Sequence, residues 1–281
     1  MAGNINLLKL PSMDNGLSLF LLQKLIHYEE KLKDYIYVFD TPSSDLPTIR
    51  KSMELARGIV VWGSDEAVQA VREQAPISAR IIEWGHKLSF VYLQDPDLPL
   101  KQWENLAEHI LSIRQLLCSS CQVVYVNTED FGVVCQVGER LAEALRQQED
   151  RYPVPLPIQG KIAVEQMTQR LEGFYDENPC LRNSHSSVTC MQDSELELSM
   201  QFGNVYVKPL PNEKLIDVLW QHRSHLQTAG IYSCDESLIQ MLAAAGVTRI
   251  CPLDQMSRMD LLESHDGSFA LQQYSRMVEV G

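Results

Sequence analysis

Short apolar runs alternate with amphipathic stretches over the first 95 residues of the chain. The runs at 5–10, 35–39, 58–62, 80–83 and 89–93 are rich in β-branched and aromatic residues and predict strands. Between them Leu17, Leu21, Leu25 and Tyr28 recur at helical spacing, as do Ile49, Met53 and Leu55, and then Ala67, Val68 and Val71. Strands and helices joined by such short crossovers form a parallel sheet with helices packed on it, so the expected class is α/β. The apolar stretch 17–26 is too short to cross a bilayer and is broken by Gln23 and Lys24, which predicts a helix with a buried face. Ser64 or Asp65, just after Trp62-Gly63, is placed to cap the next helix and leave backbone N–H groups free at the carboxyl end of a strand. Open α/β sheets bind ligands at that end.

Further along, Trp103, Leu106, Ala107, Ile110, Ile113 and Leu117 form one stripe, predicting a helix over 101–117 that ends at Cys118. A strand over 122–127 follows. Asp130 or Thr128 then caps a helix carrying Val134, Val137, Leu141 and Leu145. Proline at every second position in 152–157 predicts an extended surface segment and not a helix. Residues 178–195 are polar and without period, hence a loop; a strand over 204–208 and helices over 213–226 and 236–245 complete the reading, with no internal repeat.

A length of 281 residues argues for about two domains. Hydrophobic residues at 45% and charged residues at 22% fit a soluble folded chain and not a disordered or membrane-spanning one. The 24 basic residues face 37 acidic ones, and a net charge of −13 repels phosphate backbones and anionic lipid. A general nucleic-acid or membrane-surface role is therefore disfavoured, while a local pocket for one phosphorylated cofactor is still allowed. Seven cysteines make no regular disulfide framework and no secretory signal precedes them, which predicts a reducing, cytoplasmic setting.

The pair Cys118-x-x-Cys121 lacks a second pair at ligand spacing, so no metal is expected. A lone cysteine is most often a small buried residue. Cys118, however, ends a helix, enters a Ser-Ser turn and precedes a strand, a place where a thiol can be exposed to a cleft and backbone N–H donors can activate it. Glu83 closes an apolar run before Trp84-Gly85-His86-Lys87, a placement suited to an acid or base. His222, His225 and His265 are candidate bases, with local hydrogen bonding as the plainer reading.

The order and spacing of these segments resemble the long-chain acyl-CoA reductase family, the reductase component of the bacterial bioluminescence fatty acid reductase complex and a branch of the aldehyde dehydrogenase superfamily. Asn6-Leu-Leu-Lys9-Leu-Pro-Ser12 resembles the Asn-x-x-x-Lys-Pro-Ser/Ala strand and turn that touches the adenosine ribose. Trp62-Gly63-Ser64-Asp65-Glu66-Ala67 is similar to Trp-Gly-Gly-Asp-Glu-Ala, which holds the cofactor pyrophosphate. Glu83-Trp-Gly-His-Lys87-Leu-Ser89 is similar to Glu-Leu-Gly-Gly-Lys-Ser-Pro, which carries the general base. Asp95-Pro-Asp97-Leu98 resembles Asp-Ala-Asp-Leu, and Leu117-Cys118-Ser119-Ser120-Cys121-Gln122 is similar to Ala-Cys-Ser-Ser-Pro-Gln, whose cysteine is acylated. The 35 residues from Glu83 to Cys118 match the superfamily's base-to-nucleophile spacing. His225-Leu-Gln-Thr-Ala-Gly230, Gly246-Val-Thr-Arg-Ile-Cys-Pro-Leu253 and His265-Asp-Gly267 extend the likeness towards the end.

The resemblance implies an aldehyde dehydrogenase-like fold, with the end of an NADP-binding domain over 1–84, a thioester-forming domain over 85–260 and a tail over 261–281. It implies NADPH held by Lys9, Ser12, Gly63 and Ser64, with Cys118 as nucleophile and Glu83 as base or proton handler. It also implies long-chain acyl-CoA or acyl groups as substrate, an acyl-protein synthetase partner and homo-oligomers. The chain departs from the family in three places: Cys121 stands for a proline, Arg114-Gln115-Leu116 for Asp-Gln-Gln, and the sequence starts almost on the lysine strand. That start predicts that a further segment with an oxyanion asparagine is missing. The competing expectation is thus a truncated, inactive remnant that only binds a partner.

Overall fold

The computed structural model describes residues 3–11, 14–233, 235–260, 262–276 and 278–281. It divides into two compact units, Met1–Gly85 with Ser268–Gly281, and His86–Gly267.

The first unit contains β1 (Asn6–Lys9), α1 (Leu17–Tyr28), β2 (Ile36–Phe39), α2 (Leu46–Leu55), β3 (Gly58–Trp62), α3 (Asp65–Gln74) and β4 (Arg80–Trp84). The strands pair in parallel as β1 with β2 and β3 with β4, forming two separate two-stranded sheets. The run at 89–93, expected beside these strands, lies in the second unit. Asp45 caps α2 by accepting the Thr48 N–H, and Ser64 caps α3 by accepting that of Ala67. The expected buried face of α1 is not found. No residue of this helix is buried, and Leu17, Phe20, Leu21 and Leu25 are more than half exposed. A sheet of two four-residue strands has too little surface to cover an apolar stripe three turns long. Near the carboxyl end of the chain, Tyr274 accepts a bond from Asn4 at 2.7 Å, and Gln273 accepts one from Arg80 at 3.2 Å.

The second unit is built on a seven-stranded sheet. Its elements are β5 (Leu88–Leu93), α4 (Leu100–Ser112), β6 (Cys121–Val126), α5 (Phe131–Arg146), α6 (Leu156–Leu171), α7 (Phe174–Glu177), β7 (Cys180–Arg182), β8 (Ser187–Cys190), β9 (Asn204–Pro209), α8 (Asn212–Trp220), β10 (Leu226–Ile231), α9 (Glu236–Ala245) and β11 (Arg249–Pro252). A short α10 (Ala270–Gln273) lies in the first unit. The strand order is β11-β10-β5-β6-β9-β8-β7, parallel throughout except for the β7–β8 pair. Apolar side chains fill both faces of the central strands. Val91, Leu93, Val124 and Val126 pack with Trp103, Leu106, Ile110, Leu141 and Leu145 of α4 and α5 on one side. Phe90, Tyr92, Val123 and Tyr125 pack with Leu215, Leu219, Leu238 and Leu242 of α8 and α9 on the other. Burial on both faces explains why these strands read as continuous apolar runs without alternation. Among the described residues no helix is long and apolar enough to cross a membrane.

Four expectations are corrected in this unit. Helix α4 stops at Ser112, well short of Leu117, because Arg114 and Gln115 adopt left-handed φ of 54° and 57°. Residues 152–155 lead into α6 instead of running on extended: Pro157 lies in its first turn, where a missing N–H breaks no helical bond. The polar stretch 178–195 holds the β7–β8 hairpin. Its buried Ser186 and Ser187 are both satisfied: the Ser186 hydroxyl donates to Glu149, itself 3% exposed, which also accepts from the N–H groups of Ser184 and His185, and the Ser187 hydroxyl donates to Asn204. The helix expected over 213–226 ends at Trp220, and Leu226 opens β10.

Candidate active site around Cys118

The turn that carries Cys118 leads into the amino end of β6 and is tied down from three directions. Ser120 accepts the Leu117 N–H on its hydroxyl at 3.0 Å, and its own N–H donates to the Leu117 carbonyl. The Cys121 N–H donates to Nε2 of His109 on α4 at 3.2 Å, which requires the proton on Nδ1 in that ring. Burial of His109 disfavours its charged form and lowers its pKa to about 4. From β5, the Ser89 hydroxyl donates to the Cys118 carbonyl at 2.6 Å and accepts the Thr228 N–H at 2.9 Å.

A second layer lies behind this turn. The fully buried Gln115 amide donates to the carbonyl of Cys121 at 2.9 Å and that of Asn204 at 3.2 Å, and its oxygen accepts the Gly203 N–H at 2.9 Å. Gln201, Phe202 and Gly203 also take positive φ, and Phe202 N–H donates to the Arg114 carbonyl. Two left-handed segments therefore clasp each other, and the hydrogen bonds between them offset the backbone strain.

Cys118 is the one exposed thiol among the described cysteines that are free. Leu116 and Leu117, at its side, are about half exposed and give the thiol an apolar margin. Burial makes three of the described cysteines poor nucleophiles: it raises the Cys121 pKa and pushes Cys190 up to about 12 and Cys251 to about 11.

The candidate base Glu83 and the candidate cofactor-binding residues belong to the first unit, the three histidines to the second. Glu83, at the carboxyl end of β4, is held by both of its oxygens to the Arg72 guanidinium. Lys9 ends β1 exposed, with its ammonium 3.5 Å from the Leu10 carbonyl. A Cβ on Gly63 would lie 3.0 Å from that of Ala67, so only glycine fits comfortably at this helix entrance. Ser64 caps α3 and also bonds the Glu66 carboxylate, lowering its pKa. The missing side chain at Gly63 and the start of α3 are of the kind that takes a phosphate, but the Gly63 N–H already donates to the Trp84 carbonyl at 3.3 Å, and Asp65 and Glu66 in the same turn oppose an anion's charge. Ser12 lies outside the described residues. Of the histidines, His222 lies 3.0 Å from a Glu195 oxygen, His265 lies 3.9 Å from Asp266, and His225 Nδ1 lies 3.1 Å from the His86 carbonyl. No group of three or more His, Cys, Asp or Glu side chains able to hold a metal occurs among the described residues.

Ser89, Gln115 and Thr228 fall within the motif segments without a role assigned there, and His109 lies outside them. Their one signal is polarity inside an apolar setting: a histidine between Leu106 and Ile110, and a serine second in an otherwise apolar strand.

The fold is that of the aldehyde dehydrogenases. Aldehyde dehydrogenase 21 from Physcomitrella patens superposes with a TM-score of 0.70 over 94% of this chain and 58% of its own, at 15% identity. The Delta-pyrroline-5-carboxylate dehydrogenase of Mycobacterium tuberculosis does so with 0.61 over 90% of this chain and 51% of its own, at 13% identity. Residues 1–277 match the family Acyl-CoA reductase (LuxC), and the chain belongs to that family. Long-chain acyl-protein thioester reductase 2 of Photobacterium leiognathi is 23% identical over 240 residues, which is 82% of this chain and 48% of that protein. The chain thus spans about half the length of the curated relative it matches.

Proposed function

We propose that the chain reduces long-chain fatty acyl thioesters, acyl-CoA among them, to aldehydes with NADPH, through a thioester on Cys118. The observation that carries this reading is the pinned turn, which presents a single exposed thiol beside apolar surface while the other described cysteines are more buried. Membership of the family and the name of the Photobacterium relative support an acyl thioester as the substrate class. The Cys118 thiolate attacks the acyl carbonyl, the bond to the CoA sulfur breaks, and CoA leaves as its thiolate, so one difficult reduction becomes two easier steps. Bound NADPH would supply the hydride that reduces the acyl group. Lys9, Ser12, Gly63 and Ser64 would hold it, and in this reading the dinucleotide role falls to the first unit and the thioester role to the second.

Reduction needs no activated water, so Glu83 is free to remain paired with Arg72 and handle protons only when that pair opens. By the same family reading the enzyme is cytoplasmic, forms homo-oligomers and takes acyl groups from an acyl-protein synthetase in a fatty acid reductase complex of the bioluminescence type. A second reading, an inactive remnant that binds a partner, is favoured by the uncovered apolar face of α1. One assay separates them: the chain is incubated with a long-chain acyl-CoA and NADPH or NADH, and the aldehyde is trapped and quantified. Aldehyde formed with NADPH and absent with Cys118→Ala supports the reductase; none from a folded chain supports the binding module.

A further inference from the structure

Strand β5 is irregular on both of its edges at one residue. Between Ser89 and Phe90 it advances one position while β6 advances two, from Cys121 to Val123. Between Leu88 and Phe90 it advances two while β10 advances three, from Leu226 to Ala229. A bulge breaks the regular backbone ladder where it occurs, and bulges gather where a side chain must be re-aimed. Here the Ser89 side chain bridges the gap. Its oxygen accepts the Thr228 N–H from β10 at 2.9 Å, and its proton goes to the Cys118 carbonyl at 2.6 Å. Both Ser89 and Thr228 are buried, so water does not compete for these bonds.

We propose that Ser89 is the positioning residue of the Cys118 thiol, fixing the peptide that follows it so that the thiol is held at one angle for attack. The inference rests on the reading of Cys118 as the acylated nucleophile. Ser89 acts through the Cys118 backbone and touches no reacting atom. The other ties of the turn, from Ser120 and His109, hold Leu117 and Cys121, so Ser89 is the side chain that acts on Cys118 itself. An error of about 1 Å in a reacting group costs on the order of 10²-fold in rate.

The test compares Ser89→Thr with Ser89→Val in the full chain, since the two side chains match in shape and only threonine keeps the hydroxyl. Ser89→Ala is made beside them, so that an alanine–threonine comparison serves if the valine chain does not fold. Three quantities are read: amide hydrogen exchange of the peptide spanning 116–121, single-turnover acylation of Cys118 by a long-chain acyl-CoA, and alkylation of Cys118 by iodoacetamide, followed by peptide mass. With the hydroxyl removed, exchange in the turn should rise about tenfold or more and acylation should fall on the order of 10²-fold. Alkylation, which makes little demand on angle, should change less than about threefold, and threonine should restore the other two. Equal exchange and equal acylation in the two variants would overturn the inference. If wild type accepts no acyl group, the functional reading fails, and the exchange comparison alone decides whether Ser89 holds the turn.

Discussion

The two units of this chain handle apolar surface in opposite ways. Residues 86–267 close a seven-stranded sheet between two layers of helix, with Phe90, Tyr92, Leu106, Tyr125, Leu141 and Leu215 fully buried. The first unit contributes only Ile59, Val61, Val68, Ile82 and Trp84 to the buried apolar residues among those described, and it leaves Leu17, Phe20, Leu21, Leu25 and Trp62 exposed. Similar runs of strand and helix therefore end in different burial. Parallel strands need helices on both faces, and a two-stranded parallel pair has few neighbours to bury. The contrast locates the cooperative core, and the pinned Cys118 turn with it, in the second unit.

The contrast would break first at the centre of that core. Trp103→Ala should cost about 3–5 kcal/mol in denaturant unfolding, because a 4% exposed indole leaves a cavity the sheet cannot close. A loss below about 1 kcal/mol would show that the core is not packed as described. His109 gives a pH-dependent term next to the site. Its pKa is lowered to about 4 in the folded chain, so it is neutral there while the unfolded chain takes up a proton below about pH 6.5. Its contribution is complete above pH 6.5 and is lost as pH falls towards 4, at most about 3 kcal/mol. Stability measured over that window should fall less steeply in His109→Gln, and equal slopes would count against the buried neutral ring.

Smaller still is the effect at Gly138, where an added Cβ would meet the Cys190 sulfur at 2.4 Å. Gly138→Ala should cost about 1–3 kcal/mol through overpacking. Smallest of all, Phe20→Ser on the exposed face of α1 should change stability by less than about 0.5 kcal/mol and improve solubility. A large loss there would mean that α1 is covered and that the two units do not differ as described.

Sequence pattern reached the elements whose signals are local. Strand β3 falls on 58–62 as expected, α9 on 236–245, and Ser64 and Asp130 cap their helices. It failed where distant residues decide. The β7–β8 hairpin has no alternation because β8 is buried on both faces, and its polar groups are satisfied by Glu149 and Asn204 from elsewhere in the chain. The end of α4 depends on Gln115, whose left-handed backbone is held by partners some 85 residues away. The candidate site divides in the same way. Motif and spacing identify Cys118 as the residue to watch, but Ser89 and Thr228 meet its turn only after β5, β6 and β10 have paired.

The central claim is that Cys118 is a working nucleophile for acyl thioesters. Intact-mass spectrometry of the chain after mixing with a long-chain acyl-CoA, with Cys118→Ala in parallel, tests it most directly. The account expects one acyl adduct on the wild-type chain, discharged by hydroxylamine and missing from the variant. An adduct that survives in Cys118→Ala, or a folded wild-type chain that takes none, would contradict it.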